Sequence, residues 1–436
     1  LPMDTEPDMK LSSRYFPLLL LSLSAAGFAE TLDEAWATAL SSHRQIAAAT
    51  AMRESASYDL EQAKSARLPQ LGLSSAYTQL DTAPGFSFGN GVTTGPIFDD
   101  DNFLTAGAQI NLPIYTGGAI NSGIEAAEFG AKAADGQLAT VIQDIRLGVA
   151  EHYMSVLRAE SAVTVAKSYV ASLASHTEDT KNRFEFGDVP KNDYLAASVT
   201  LANAEQRLLQ AQNGLDYAQA AYNRFLGRPL PTVVSVDPTI SIDDLVPRNA
   251  GLEELTSMAQ QTRQELTALD SRAQALERQA DRARAGSRPQ LALTGGYTYL
   301  ENQFLTDDQY WMAGVSLQWN IFDGGQARKQ SASLAQKAIA VGHNRADLES
   351  MIALQVRKAW NDRLEAESRL VVAASTVDQA DENLRVVRAR YDAGSSTNVE
   401  VLDAEALREQ SLSNHDDARF EVALAKLRLA RAVGVL

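Results

Sequence analysis

Two carboxylates stand three positions apart in the segment YDAGSSTNVEVLDAE near the end of the chain. They are Glu400 and Asp403, and on a helix this spacing puts them on one face. Gly394 can end one helix, and Thr397 or Asn398 can cap the next. An acid in the first helical turn is stabilised by the helix dipole, typically by ~0.3–1 kcal/mol. The dipole effect accounts for one of the two carboxylates, so the other is a candidate for binding cations.

The remaining residues that could do chemistry show no catalytic arrangement. The five histidines are scattered singly along helical segments, without the spacing of metal ligands. The run Asp99-Asp100-Asp101 is interpreted as a solvated loop, and no phosphate loop, nucleophile elbow or zinc motif is present. The chain also has no cysteine. We therefore predict no catalytic residue, no metal site and no cofactor, and the chain is not expected to be an enzyme.

The charge of the chain excludes nucleic acid as a partner. Its 436 residues include 55 acidic and 39 basic side chains, which gives a formal charge of −16. Such a chain is repelled by phosphate backbones. The length allows two or three ordinary domains or one large repetitive architecture.

The first residues have the three parts of a secretory signal peptide. Lys10 and Arg14 form a basic region, an apolar run follows, and Gly27 and Ala29 are small residues at a cleavage site. We expect residues 1–29 to be removed, so that the mature chain begins at Glu30. Met9 is the alternative start, because the eight residues before Lys10 are atypical of a signal.

The rest of the chain contains an internal repeat of one unit. LPQLGLSSAYT matches RPQLALTGGYT at an offset of 220, and NLPIYTGG matches QWNIFDGG at an offset of 207. The second offset continues without a gap and pairs Gly187 with Gly394 and Asp193 with Glu400. Two copies of one unit predict a pseudo-symmetric fold. Its parts are predicted as a first repeat at 30–227, a linker at 228–250 and a second repeat at 251–436.

Each copy contains a predicted pair of strands. The segments YWMAGVSLQWNIF and FLTAGAQINLPIY alternate apolar residues with small or polar ones, which is a period of two. Their length and terminal aromatics are typical of membrane β-barrel strands, while a soluble four-stranded sheet is the alternative. Four strands cannot close a barrel in lipid, so several chains must each contribute four, and three chains would give twelve.

Proline-free helical patterns fill the remainder. Residues 119–186 and 326–393 predict two helices of ~100 Å. Two shorter helices, 190–226 and 252–286, would return end to end over the same height, and residues 32–67 form the first ascending helix. The linker, the beginning of the mature chain and the end of the chain would then meet at one belt at mid-height.

The doubled motifs and RARYDAGSSTNVEVLDAE resemble the TolC-like outer-membrane efflux proteins of Gram-negative bacteria. The resemblance implies a mainly α-helical fold with a membrane β-barrel: a homotrimer with a twelve-stranded barrel in the outer membrane and a long helical tunnel through the periplasm. It implies the exit duct of a tripartite export system, with a periplasmic adaptor (membrane fusion) protein and an inner-membrane pump of the RND or ABC type as partners. A periplasmic coiled-coil scaffold or adaptor without a pore is the alternative, which the alternating strands disfavour.

The resemblance also assigns residues. It places the periplasmic constriction at Glu400 and Asp403, where threefold symmetry would give six carboxylates that favour cations. Gate contacts correspond to Tyr391, Asp193 and Ser396, and Ser396 stands where the family has an arginine, so a charged link is missing. The predicted adaptor-docking tips are Gly187, Asp188, Val189, Pro190, Gly394, Ser395 and Thr397. The cargo stays open between drugs, metals and a secreted protein.

Overall fold

The computed structural model describes residues 29–82, 85–89, 92–96, 101–239, 245–247, 249–302 and 306–436. The predicted signal peptide, apart from Ala29, lies outside these residues, as do Asp99 and Asp100. The described residues form helices and strands with the following bounds. The helices are α1 Leu32–Ser42, α2 Arg44–Ser65, α3 Ala119–Phe186, α4 Lys191–Phe225, α5 Leu252–Thr262, α6 Gln264–Ala285, α7 Gln326–Asp392 and α8 Asn398–Val433. The strands are β1 Gln70–Gln79, β2 Gly85–Phe88, β3 Val92–Pro96, β4 Asn102–Tyr115, β5 Gln290–Leu300 and β6 Gln309–Gln318.

Helices α3 and α7 dominate the molecule, with 68 and 67 residues. Each is ~100 Å long at a rise of ~1.5 Å per residue, and the prediction of two long helices is confirmed. Both begin after a pair of glycines in the left-handed region: Gly117 and Gly118 before α3, Gly324 and Gly325 before α7. Among the described residues, no helix has both the length and the apolar content required to cross a membrane.

Two helices that were predicted to be continuous are broken. The segment 32–67 is interrupted at His43 and the segment 252–286 at Arg263, where the backbone is extended with ψ of 125° and 112°. Neither residue is a helix breaker, so the sequence carried no signal. Both residues contact other helices at the break: the His43 ring lies 5.0 Å from that of Phe225, and Arg263 donates to the carbonyl of Ala432 at 3.0 Å.

Four strands form one antiparallel sheet in the order β1-β4-β5-β6. This confirms the four predicted strands, although β6 ends at Gln318 and not at Phe322. Beyond that point the Trp319 indole donates to the carbonyl of Ser287, and the chain turns into α7. The offset between the repeats falls from 220 to 207, so the first repeat has 13 extra residues between its two motifs. This stretch contains a small ribbon of β2 and β3, which the sequence pattern did not predict.

The register aligns the two faces of the sheet across all four strands. One row of neighbouring positions holds Leu73, Ala108, Tyr297 and Trp311. The adjacent row, on the other face, holds Gly72, Gln109, Gly296 and Met312. One face is therefore aromatic and aliphatic, and the other is largely small and polar. The outer edges of β1 and β6 have no strand partner within the described chain.

The main apolar clusters lie halfway along α3 and α7. One surrounds Val149 and Tyr153 with residues of α1, α4 and α8, and a second surrounds Ile352 and Val356 with residues of α5, α6 and α8. We call this region the belt. A third cluster near the hairpin tips is small, with only three buried members in the described chain: Tyr169, Leu173 and Ala204.

The belt also contains two buried polar clusters. In the first, Arg228 donates two hydrogen bonds to the carboxylate of Glu30, at 2.8 and 2.6 Å, and Tyr222 donates a third. In the second, Glu265 accepts from Arg263 at 3.0 Å and from Arg431 at 2.7 Å. Burial disfavours the charged form of Glu265, but the bonds from the two arginines outweigh this effect and lower its pKa.

Candidate functional site

The two hairpin tips are built by the same backbone turn. Gly187 ends α3 and Gly394 follows α7, with φ of +85° and +73°, a conformation that is unstrained only for glycine. Asp188 donates its backbone N–H to the carbonyl of Arg183 at 2.8 Å. Ser395, its counterpart in the repeat, donates to the carbonyl of Arg390 at the same distance. The glycines predicted from the repeat therefore turn both hairpins in the same way.

After the turn, the two tips differ. Helix α4 begins after Pro190, which provides no side-chain cap. Helix α8 begins after Thr397, whose hydroxyl accepts from the backbone N–H of Glu400 at 3.3 Å. Ser396 donates its hydroxyl to the Glu400 carboxylate at 2.5 Å. Ser396 thus holds Glu400 within the turn of its own chain.

The predicted acids occupy distinct positions on their helices. Glu400 is the third residue of α8 and Asp193 is the third residue of α4, so both lie in a first turn, where the dipole favours a carboxylate. Asp403 lies one turn further and is exposed, as is Glu400. Its counterpart in the first repeat is Ala196. Helix capping therefore accounts for Glu400 but not for Asp403.

Tyr391 and Asp193 do not hydrogen-bond to each other within one chain. The side chain of Tyr391 is buried and its hydroxyl has no hydrogen-bond partner among the described residues. Its ring packs 5.4 Å from the His176 ring, with the Arg183 guanidinium 4.8 Å from its centroid. The Asp193 carboxylate accepts from Asn192 at 3.1 Å. A gate contact between Tyr391 and Asp193 stays a prediction.

The predicted docking tips form the end of the molecule opposite the sheet. All of them are exposed except Val189, which is half-buried: Gly187, Asp188, Pro190, Gly394, Ser395 and Thr397. Their exposure leaves backbone and side chains free for a partner. Adaptor binding at these residues also stays a prediction.

Polar contacts join the two hairpins behind the tips, some of them buried, and the sequence did not reveal them. Arg183 of α3 donates to the carboxylate of Asp392 at 2.6 Å. Glu405 of α8 is 1% exposed. Its carboxylate accepts from Ser172 at 2.8 Å and from Arg388.

Asn398 makes the third of these contacts. It is the first residue of α8 and is 2% exposed. Its side-chain oxygen lies 2.7 Å from Nε2 of His176, and its amide donates to the backbone carbonyl of Asp193 at 3.0 Å. Asn398 and Glu405 are seven residues apart, so they share one helix face. That spacing is the only signal in the sequence, because the partners on α3 are more than 200 residues away.

A family model described as "Outer membrane efflux protein" matches residues 36–228 and 255–435. This chain belongs to the outer membrane efflux protein family. It is 26% identical to the outer membrane protein TolC of Vibrio cholerae over 439 residues, covering 98% of this chain and 96% of that protein. It is 22% identical to the alkaline protease secretion protein AprF of Pseudomonas aeruginosa, over 67% of this chain and 62% of that one.

Solved structures show the same fold. The outer membrane protein VceC of Vibrio cholerae superposes with a TM-score of 0.79 at 18% identity, covering 92% of this chain and 96% of that one. This chain is thus an outer-membrane exit duct for efflux or secretion, with a large helical periplasmic part. The family is a channel family and not an enzyme family. The alternative of a periplasmic scaffold without a pore is wrong.

Proposed function

We propose that three copies of this chain close a twelve-stranded barrel and form one passive duct, whose periplasmic entrance lies at the hairpin tips. The observation that supports this proposal is the four-stranded sheet with an apolar face and two unpaired edges. Strands β1 and β6 run in opposite directions, so β6 of one chain can pair with β1 of the next and preserve the antiparallel alternation. A closed barrel removes the open edges, which lipid does not tolerate.

The entrance is set by the second-repeat hairpin. We place the constriction at Glu400 and Asp403, because only this hairpin carries the second acid and because capping leaves Asp403 unexplained. In a trimer, three copies of each carboxylate would face one axis and attract cations. Ser396 orients the Glu400 carboxylate toward its own turn, which leaves Asp403 as the more freely available ligand.

A passive duct that opens into the periplasm requires partner proteins to deliver its cargo. A passive pore needs an energised pump below it, and we propose an inner-membrane pump of the RND or ABC type joined by a periplasmic adaptor. The adaptor would dock at the exposed tips, residues 187–190 with Gly394, Ser395 and Thr397. One relative, AprF, is named for the secretion of alkaline protease, and the family model is named for efflux. Protein secretion and small-molecule efflux are therefore both compatible with this site.

The test is cation block in planar bilayers. The double variant Glu400→Ala with Asp403→Ala should conduct but lose block by divalent and trivalent cations, since the acids that bind them are gone. Asp403→Ala alone should already lose most of the block, with little change in thermal stability. Block that persists unchanged in the double variant would exclude these residues as the constriction.

A matched control lies on the hairpin of α3 and α4, which we call the outer hairpin; the hairpin of α7 and α8 is the inner hairpin. Glu178 and Asp179 are exposed acids of α3 within three turns of its tip, so Glu178→Ala with Asp179→Ala removes the same charge from the same end of the molecule. Block should be retained in this variant. Loss of block in both double variants would mean that the total charge of the tip, and not the constriction, attracts the ions.

A further inference from the structure

The polar contacts between the two hairpins follow one continuous seam, between α3 and α8. From the belt toward the tips, the seam joins five pairs: Glu151 with Arg428, Arg158 with Glu421, Ser161 with Asp416, Ser172 with Glu405, and His176 with Asn398. Past the belt, apolar contact across the seam narrows to the small cluster of Tyr169, Leu173 and Ala204, against which Leu402 of α8 packs. Near the tips, hydrogen bonds therefore join the inner hairpin to the outer hairpin beside this small apolar cluster.

Asn398 is the last of these contacts and the one that reaches both helices of the outer hairpin. Its amide donates to the carbonyl of Asp193 on α4, and its oxygen faces His176 on α3. A backbone carbonyl can only accept, so the Asn398 amide must point at Asp193 and its oxygen must accept from His176. Nε2 of His176 therefore carries a proton. Asn398 can make both bonds only while α8 lies against α3 and α4.

The pseudo-symmetric positions of the chain do not repeat this pair of residue types. At the offset of 207, the counterpart of Asn398 is Lys191 and the counterpart of His176 is Asn383. Both counterparts are exposed. The Asn398–His176 pair joins α8 to α3, and its counterpart would join α4 to α7, so the pair is specific to this contact between the two hairpins.

We propose that the pair Asn398 and His176 is a latch that holds the inner hairpin against the outer hairpin and keeps the entrance narrow; this inference rests on the entrance proposed above. Ser396 cannot supply a charged link, and the Tyr391 hydroxyl has no hydrogen-bond partner among the described residues, so the latch acts where those side chains make no such contact. When α8 swings away, water can satisfy every group that the latch releases, so release leaves no buried donor or acceptor unpaired.

The first test removes the latch. Asn398→Leu keeps a similar volume and deletes both bonds, and His176→Leu deletes one. In planar bilayers the ratio of closed to open channels should fall by about tenfold in Asn398→Leu and by less in His176→Leu, since each hydrogen bond contributes modestly. His176→Gln retains a donor near the position of Nε2 and should behave as the wild type. If His176→Gln opens as readily as His176→Leu, the hydrogen bond is not what holds the hairpin.

The controls are the same residue types at exposed sites. Asn414 of α8 and His343 of α7 are exposed, and Asn414→Leu and His343→Leu should leave gating unchanged. Thermal unfolding of the trimer separates gating from misfolding. A latch variant that melts as the wild type and still conducts as the wild type overturns the proposal.

The second test closes the latch covalently and remains informative even if the leucine variants fold poorly. Because the chain has no cysteine, His176→Cys with Asn398→Cys places the only two thiols at the latch. A short, reducible bis-methanethiosulfonate linker should lower the open fraction severalfold, and a reductant should restore it. A linked channel that opens as freely as the reduced one contradicts the latch. If the wild-type protein forms no channel at all, the proposed function fails. If the wild type forms a channel and the latch variants gate as the wild type does, the latch fails and the proposed function stands.

Discussion

At the scale of single residues, the Glu265 carboxylate joins several helices of the belt. Glu265 follows the break at Arg263 and is held by that arginine and by Arg431, which also donates to Asp144. Arg263 in turn reaches the carbonyl of Ala432, close to the last residue of α8. One glutamate thus ties together the α5–α6 junction, α3 and the end of α8. Its charge is favoured because the two arginines are themselves almost buried and need an anion.

We expect the stability of the molecule to depend on the ionisation of Glu265. Its folded pKa lies below the ordinary value of 4.5, so the charged form stabilises the fold at every pH above 4.5. This contribution is lost as the pH falls through the lowered pKa. Glu265→Gln should lower the free energy of unfolding at neutral pH by ~2 kcal/mol and should flatten the acid limb of the profile.

The measurement is the midpoint of thermal unfolding between neutral and acid pH. The control is Glu205→Gln, which removes the charge of an exposed glutamate of α4 and should shift the curve little. If Glu265→Gln retains the full acid sensitivity of the wild type, the acid limb belongs to other carboxylates of the belt.

At the scale of elements, helices pack closely at the belt because small residues permit it. A methyl group at Gly148 of α3 would lie 2.4 Å from Cζ of Phe225 of α4. That ring cannot move aside easily, because it lies between the rings of His43 and His152, with centroids 5.0 and 4.7 Å away. Gly148 therefore allows α1, α3 and α4 to meet around one aromatic side chain.

Two glycines of α3 predict opposite effects of the same substitution. Gly148→Ala should destabilise the fold by ~2 kcal/mol, since a methyl group overpacks the site. Gly130→Ala meets no atom of the chain within 4 Å and should stabilise it by up to ~1 kcal/mol through helix propensity. Both midpoints are read from thermal unfolding of the full chain. Destabilisation by Gly130→Ala to the same extent would mean that α3 tolerates no side chain there, for example because another copy packs on it.

The elements also show what sequence reasoning can reach. Helix α3 was predicted residue for residue because 68 positions lack proline and keep one apolar period. The break at Arg263 was missed because arginine favours helix, and the contacts of its side chain with Glu265, Gln355 and Ala432 are made only in the folded chain. At the tip, Glu400 and Asp403 were found from local spacing. His176 and Asn398 were not, since 222 residues separate them and only the antiparallel packing of α3 and α8 brings them together.

At the scale of the whole molecule, the unpaired edges of the sheet predict how the chains join. Strands β1 and β6 are separated by two others, so within one chain they are ~14 Å apart at ~4.8 Å per strand. Ser74 of β1 and Ser316 of β6 lie on the same, polar face of the sheet. A linker that spans clearly less than this separation can therefore join them only between two chains.

Ser74→Cys with Ser316→Cys tests the closed trimer directly in a chain that otherwise lacks thiols. A short flexible bis-maleimide should give covalent dimers and then trimers on a denaturing gel, with the trimer as the largest product because the ring is closed. Each single variant should give no trimer. Products that stop at the dimer, or that continue beyond the trimer, would contradict closure by three chains.

The glycine pairs that start α3 and α7 have a mechanical consequence. Because each long helix follows its strand after a short turn, of three residues before α3 and seven before α7, it resembles a beam fixed at the sheet and braced again at the belt. The free arm from Leu157 to Phe186 is ~44 Å long at a rise of ~1.5 Å. Tilting such an arm by ~10° displaces its end by ~8 Å on simple leverage. A wide aperture at the tips therefore requires only slight bending, spread over many helical turns.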